Sequence, residues 1–174
     1  MQVSRNFAFL KIHSLELVRL GTLAESYFAN DPNTCLIKLR QFGERLAQLV
    51  AAKIGLYEDP DESQFELLRR LDNRGAITGQ TIQLFHEIRK VGNRATHGSY
   101  GEHGAALSHL KYARILGIWF HRSYGGAQQF KPGPFIPPAD PRQETAALKA
   151  ELERLRAELT DRQTELTATP SQAE

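Results

Sequence analysis

The sequence contains very little cysteine and almost no excess of charge. Cys35 is the only cysteine among 174 residues, which excludes an intramolecular disulfide and a cysteine-rich metal site. A single cysteine fits a reducing compartment, so we expect a cytoplasmic protein. The 22 basic and 20 acidic side chains leave a formal net charge of +2. The whole molecule therefore lacks the field of an obligate nucleic-acid binder, and any contact with nucleic acid must come from a local patch.

Several functional patterns are also missing. No apolar run approaches the roughly 18 residues of a membrane span, and the N-terminus is a poor signal peptide, so no membrane is expected. No G-x-x-x-x-G-K-[ST] motif occurs, which removes the ATP-binding loop of a helicase motor from this sequence. Neither a carboxylate cluster with a following lysine nor a third ligand beside His103 and His109 is evident. We therefore expect no metal and no cofactor.

Apolar residues recur every three or four positions in five segments, which predicts five helices. Four of these segments span about 14–29, 32–55, 62–73 and 103–124, and the fourth helix opens at Thr78 or Gly79 and is weakened at Gly92. Ser14 and Asp31 precede the first two segments as plausible N-caps, with Pro32 in the first turn of the second. No period-two strand pattern appears, and the connections are short. The sequence therefore predicts an all-α, up-and-down helical bundle over residues 1–125.

The composition changes after this bundle. Five prolines between residues 126 and 141 predict an extended, semi-stiff linker. A heptad seam follows and predicts a coiled-coil helix over 142–167, before a disordered tail at 168–174. The seam leucines have a 4-3-4-7 spacing that is interrupted at Arg162, and they are Leu148, Leu152, Leu155, Leu159 and Leu166. Because so short a helix is marginal alone, a partner helix in cis or in trans is implied.

The segment IRKVGNRATHG, residues 88–98, concentrates three cations, an amide, a hydroxyl and a histidine at one predicted helix boundary. His97 is suited to general acid–base chemistry near neutral pH. Arg89 or Arg94 can hold a phosphate bidentately. This combination would suit metal-independent cleavage of RNA, in which the substrate's own 2′-hydroxyl is the nucleophile. The candidate catalytic residues are thus Arg89, Asn93, Arg94 and His97.

A structural interpretation of the same segment stays open. In that interpretation Gly92 permits a turn, Asn93 caps the end of the fourth helix, and Thr96 and His97 bond backbone groups. The basic residues between 69 and 94 are mostly expected on solvated faces, yet they could gather at one end of the bundle. The predicted nucleic-acid-binding set is Arg74, Arg89, Lys90 and Arg94.

Other aromatic and titratable residues are interpreted as structural. His86 and His121 are expected on helix surfaces. Trp119, Phe120 and Tyr124 lie at helical spacing and are expected in the core rather than stacked on bases. Phe65 is placed with Leu67, Leu68 and Leu71 on the apolar stripe of the third helix. Cys35 is expected to be a small buried hydrophobe.

Four segments together resemble a known family: FAFL, CLIKLRQFGERLAQLV, LLRRLDNRGAITGQTIQLFHEIRKVGNRATHG and ALSHLKYARILGIWFHRSYG. They look like an uncharacterised helical domain at the N-terminus of type I restriction-enzyme R subunits and related DEAD/DEAH-type helicases. The resemblance covers about residues 5–125, and IRKVGNRATHG is its most specific part. It implies restriction or helicase subunits as partners, with DNA or RNA as a further partner, and an oligomer formed through the coiled coil or the bundle.

The resemblance also implies a HEPN-like fold, a four- or five-helix bundle that often dimerises. Active HEPN ribonucleases carry an arginine with a histidine four to six residues beyond it. Here two residues separate Arg94 from His97 and seven separate Arg89 from His97, while Lys90, with six, comes near. The resemblance therefore implies a non-catalytic accessory module that contacts partner protein or nucleic acid. A metal-independent ribonuclease and a structural dimerisation domain remain the alternatives.

Overall fold

The computed structural model describes residues 4–57, 59–98 and 101–168. Within these ranges the chain is helical and contains no strand, which confirms the all-α prediction. A short 3-10 helix, Ala8–Ile12, comes first. Six α-helices follow: α1 Leu15–Tyr27, α2 Pro32–Lys53, α3 Gln64–Asn73, α4 Gly79–His97, α5 His103–Ser123 and α6 Pro141–Ala168. None of the described helices has the length and apolar character needed to cross a bilayer.

Side-chain caps explain where the first three α-helices begin. The Ser14 hydroxyl accepts a hydrogen bond from the backbone N–H of Leu17 at 3.3 Å, and Asp31 accepts one from Thr34 at 2.9 Å. These bonds confirm the two predicted caps, because each satisfies a backbone donor that the helix itself leaves unpaired. Ser63 and Glu66 form a reciprocal capping box at the start of α3.

The core is built around α2, which packs against α1, α3, α4 and α5. Phe42 of α2 is fully buried and meets the ring of Phe7 edge-on at 5.2 Å between centroids. Gly21 admits the Phe7 ring, because a Cβ at this position would lie 2.5 Å from it. Cys35 is buried as predicted, and burial raises the pKa of its thiol to about 12.

The chain divides into two compact units between Pro138 and Ala139. The first unit includes most of the proline-rich segment, and we call residues 130–138 the strap. The strap has no regular secondary structure, as its prolines predict. It is nevertheless held against the bundle, because helix α5 and the N-terminal segment supply donors to its free carbonyls. Arg122 donates to the Phe130 carbonyl at 2.8 Å and Arg114 to the Gly133 carbonyl at 2.6 Å.

Asn6 fastens the other end of the strap. Its side-chain amide donates to the Ile136 carbonyl at 2.7 Å, and its Oδ1 accepts from the Ile136 N–H at 2.9 Å. The same amide donates to Glu25 Oε1 of α1 at 2.6 Å. Burial raises the pKa of the Glu25 carboxyl. Asn6 therefore joins three parts of the chain, the N-terminus, α1 and the strap, through one buried side chain.

A histidine pair lies under the strap. His121 is only 6% exposed, so its placement on a helix surface was wrong. Its Nδ1 shares a hydrogen bond with His13 Nε2 at 2.8 Å, and the Phe130 ring covers it edge-on at 4.6 Å. Helical periodicity along α5 alone misses this burial, because the covering residues come from the N-terminal segment and the strap.

This pair is expected to make stability depend on pH. Burial lowers the pKa of both imidazoles, and for His13 the charges of His121 and Lys53 lower it further. The unfolded chain therefore binds more protons, and stability is lost as pH falls below about 6.5. The free energy of unfolding, measured with denaturant, should fall between about pH 7.5 and about pH 5.5. This fall should be smaller in His13→Phe/His121→Phe than in the unmodified chain. Equal losses in the two proteins would show that the pair does not act.

Groups outside the pair do not disturb this comparison. The pKa values of His86 and His109 are also lowered by burial, so they add to the loss of stability at low pH. The pKa of Glu25 is raised, so this carboxyl instead adds stability as the pH falls toward about 4.5. All three are present in both proteins, so the difference between the two slopes isolates His13 and His121.

Candidate functional site

Helix α4 carries most of the predicted site and runs without a break to His97. Its buried side chains recur every three or four residues and are Ile82, Phe85, Ile88, Val91 and Ala95. Gly92 lies inside the helix and is buried, so the interpretation that it permits a turn was wrong. A Cβ at Gly92 would lie 2.3 Å from Arg40 Cβ. Gly92 therefore lies where the backbone of α4 approaches Arg40 of α2 closely.

Asn93 belongs to the same crossing and does not cap the helix. Its Oδ1 accepts a hydrogen bond from Arg40 Nη1 at 3.0 Å, and two residues later the Ala95 carbonyl accepts one from Asn33 Nδ2 at 2.9 Å. Arg40 also lies 3.9 Å from Glu44. The sequence gives no sign of the Arg40–Asn93 bond, because 53 residues separate its partners.

The outer side of α4 carries cations. Arg89, Lys90, Asn93 and Arg94 line a shallow, open depression of about 570 Å³ together with Glu87. Lys90 and Arg94 are exposed and stand one turn apart on the helix. Lys90 Nζ lies 3.5 Å from Glu87 Oε1. An exposed ion pair of this kind is weak, so it can be exchanged for a contact to a phosphate.

An aromatic ring lies against Arg89, one of the residues that line this depression. Phe65 of α3 is 49% exposed, so its predicted place on the apolar stripe was wrong. The Arg89 guanidinium lies 5.2 Å from the centroid of its ring, and the His86 ring lies 6.2 Å from it. Burial, with the charges of Arg89 and Lys90, lowers the pKa of His86. We call Phe65, His86, Arg89, Lys90 and Arg94 the basic face.

The exposure of Phe65 reverses what hydropathy predicts for the first turn of α3. The adjacent Gln64 is buried at 8% exposure, while Leu67, Leu68 and Leu71 fill the core. These leucines fix the rotation of the helix, so Phe65 must face outward. A polar residue placed inside and an aromatic one outside is the kind of local conflict that marks functional sites.

The remaining predicted residues lie apart from this cluster. Arg74 is the C-cap residue of α3, before α4 begins. Lys90 and Arg94 lie about 16 and about 22 Å further along the α4 axis from its first residue, at 1.5 Å per residue. The structure therefore brings together Arg89, Lys90 and Arg94 and leaves Arg74 at the other end of α4.

His97 is the last residue of α4 and is exposed. It follows Arg94 by three residues and shares its side of the helix, whereas Arg89 lies about 12 Å away along the axis. Within the part of the chain that is described, the imidazole makes no hydrogen bond, and no group of three potential metal ligands occurs. His103 and His109 instead contact the carbonyls of Ala29 and Ala105. Arg89 and His97 are thus not brought together.

The geometry describes an all-helical module with a cationic, partly aromatic face on α4, and comparison with known proteins identifies its family. The chain belongs to the family described as Domain of unknown function (DUF4145), whose model matches residues 22–116. The matched range includes the whole basic face. No solved structure matches the chain.

A curated relative extends the similarity to nearly the whole chain. Over 172 residues, 97% of the chain, the sequence is 30% identical to the type I restriction enzyme EcoKI endonuclease subunit of Escherichia coli (strain K12). This similarity confirms the resemblance to a domain associated with type I restriction enzymes. The chain spans 14% of the length of that relative.

Proposed function

We propose that this chain is an accessory module of a type I restriction-enzyme assembly, and that it contacts nucleic acid through the basic face. The bundle is proposed to be HEPN-like and to act in the cytoplasm without catalysing a reaction by itself. Restriction or helicase subunits are its proposed protein partners, in line with the name of the curated relative. The observation that carries the proposal is the exposed Phe65 ring beside Arg89, which lines one depression together with Lys90 and Arg94.

This arrangement suits an unpaired strand. A base can stack on an exposed aromatic ring whatever its identity, with a contribution of about 1–3 kcal/mol per base. Cations that neutralise phosphates release counterions and make binding fall with salt. The net charge of the chain is only +2, so nucleic acid is not attracted to the protein surface as a whole. The local cluster of cations therefore determines where it binds.

Removing the two exposed cations is expected to weaken binding. Fluorescence anisotropy with labelled single-stranded DNA, single-stranded RNA and duplex DNA measures the affinity at several salt concentrations. In Lys90→Ala/Arg94→Ala the affinity should fall about tenfold or more, and the salt slope should decrease by about 1.4, since each lost phosphate contact removes about 0.7 on a single strand.

The control for this variant is Arg19→Ala/Lys38→Ala, which removes the same charge from α1 and α2. These residues border a different depression, between α1 and α2. If the control weakens binding as much as Lys90→Ala/Arg94→Ala does, nucleic acid responds only to the net charge of the protein, and the basic face is not a specific site. If neither variant alters the affinity, the proposed function fails.

The aromatic part of the face has its own expected result. Phe65→Ala should weaken single-stranded binding by about five- to a hundredfold, the equivalent of one stacked base, and should leave duplex binding nearly unchanged. Its effect on stability should be small, because the ring is half exposed. The same anisotropy titrations report both affinities. Equal losses for single strand and duplex would contradict the stacking role.

A further inference from the structure

Helix α6 presents an apolar stripe that no described residue of its own unit covers. Its four described seam leucines are between 45% and 65% exposed: Leu148, Leu152, Leu155 and Leu159. In the first unit, by contrast, leucines such as Leu36, Leu39 and Leu46 are fully buried. The spacing of the stripe is that of a coiled-coil seam. An isolated helix with this composition is marginal in water, so its stability depends on burying the stripe.

The charges beside the stripe are sorted by sign. With Leu152 and Leu159 at heptad position a and Leu148 and Leu155 at position d, the flanking positions g and e are fixed. Position g is acidic in each described heptad, as Glu144, Glu151 and Glu158. Position e is basic as Arg142, Lys149 and Arg156 and becomes neutral at Gln163. One flank of the seam is therefore negative and the other positive.

We propose that α6 pairs with α6 of a second copy of this chain, as a parallel, in-register coiled coil. In a parallel pair each g residue faces the e residue five positions further along the other helix. Glu144 then faces Lys149 of the second copy, and Glu151 faces Arg156. By symmetry the dimer gains four attractive pairs, and these set partner choice and orientation.

The antiparallel arrangement is disfavoured by the same residues. There g faces g and e faces e, so glutamate meets glutamate and cation meets cation on both flanks. A helix of another protein would have to supply its own matching pattern. The second copy has the pattern already, so it is the occupant that the charges select.

Two features keep the dimer moderate in strength. Arg154 holds Glu151 at 2.7 Å and Glu158 at 3.7 Å within the same helix, so these carboxylates already have a partner before association. Arg162 stands at a seam position, where two copies would meet. Its long side chain can turn toward water, at a cost in packing. The association is therefore expected to be reversible and dependent on concentration.

This inference deepens the assembly role within the proposed function, and it is tested on the full chain. Sedimentation equilibrium from about 1 to about 200 μM should show a monomer–dimer equilibrium, and Glu144→Lys/Glu151→Lys should raise the dissociation constant at least about tenfold, because four attractions become repulsions. In an antiparallel dimer glutamate already faces glutamate, so this variant has no attraction to turn into a repulsion. An unchanged constant therefore overturns the parallel arrangement.

A matched variant separates charge pairing from damage to the helix. Adding Lys149→Glu and Arg156→Glu to the first two changes restores opposite charges across the parallel seam and returns the net charge to its original value. The dissociation constant should return to within about threefold of the unmodified chain, as expected for exposed pairs of equal geometry. A variant that stays monomeric overturns the pairing scheme, as does an unmodified chain that stays monomeric throughout.

Cross-linking tests the register. In a Cys35→Ala background, Leu148→Cys places one thiol near the first end of the seam, and only a parallel, in-register pair brings two copies of it together. Oxidation should give a disulfide-linked dimer, and a dimer that does not cross-link overturns the register. Anisotropy with Lys90→Ala/Arg94→Ala is independent of these results. The experiments can thus disprove the dimer while nucleic-acid binding is confirmed, or disprove nucleic-acid binding while the dimer is confirmed.

Discussion

Replacing Gly92 with alanine is expected to destabilise the bundle by about 2 kcal/mol, although alanine is the better helix former by about 1 kcal/mol. The added methyl group would lie 2.3 Å from Arg40 Cβ. Because Cβ is attached directly to the backbone, Arg40 cannot swing aside, and α2 and α4 must separate. Denaturant unfolding followed by far-UV circular dichroism measures the loss. Separation of the helices should also break the bond between Arg40 and Asn93.

Gly104→Ala is the matched control. Gly104 lies in the first turn of α5, and a Cβ there would meet nothing within 4 Å. The same substitution should therefore leave stability unchanged or raise it by up to about 1 kcal/mol, through helix propensity and the entropy of the unfolded chain. Two Gly→Ala changes with opposite signs would identify the crossing as the cause. If both are stabilising, the close approach of α2 and α4 is not as described.

Replacing Asn6 should produce the second large effect. Asn6→Ala removes three side-chain hydrogen bonds, two to Ile136 and one to Glu25, and should cost about 2–3 kcal/mol of unfolding free energy. Asn6→Asp should cost at least as much at neutral pH. It keeps the acceptor for the Ile136 N–H, but it loses both donors and places a second carboxylate against Glu25, whose pKa is already raised.

The stabilities of the two Asn6 variants should diverge as the pH is lowered. In Asn6→Asp the paired carboxylates share a raised folded-state pKa, so the folded protein binds more protons and stability is lost as pH rises through that value. Acidification below about pH 5 should therefore rescue Asn6→Asp and leave Asn6→Ala unrescued. Asn30→Ala, at an exposed position, is the control and should stay within about 0.5 kcal/mol of the original stability.

The helices themselves follow closely from local patterns. Ser14, Asp31 and the regular apolar spacing locate α1 and α2 within about two residues, because caps and periodicity are properties of adjacent residues. The end of α4 does not follow from them. Glycine lowers helix propensity, which suggests a stop at Gly92, but the crossing with α2 gives this glycine a packing role that outweighs propensity.

The site could be predicted only in part for the same physical reason. The three cations of the basic face lie within six residues of sequence, so composition alone finds Arg89, Lys90 and Arg94. The contribution of Phe65 depends on the rotation of α3 about its axis, which the buried leucines fix. The role of Arg40 depends on contact with a helix 53 residues away. Pairings over such distances have no local pattern in a single sequence.

The strap and the N-terminal segment determine which fragment of the chain can fold by itself. The family model matches residues 22–116, but the buried Phe7, both members of the His13–His121 pair and the whole strap lie outside that range. A gene trimmed to the matched range would lack Phe7 and most of α1, so Phe42 and the side of α2 that α1 covers would be exposed, and its product should aggregate. Cloning limits at residues 1 and 138 keep the first unit whole.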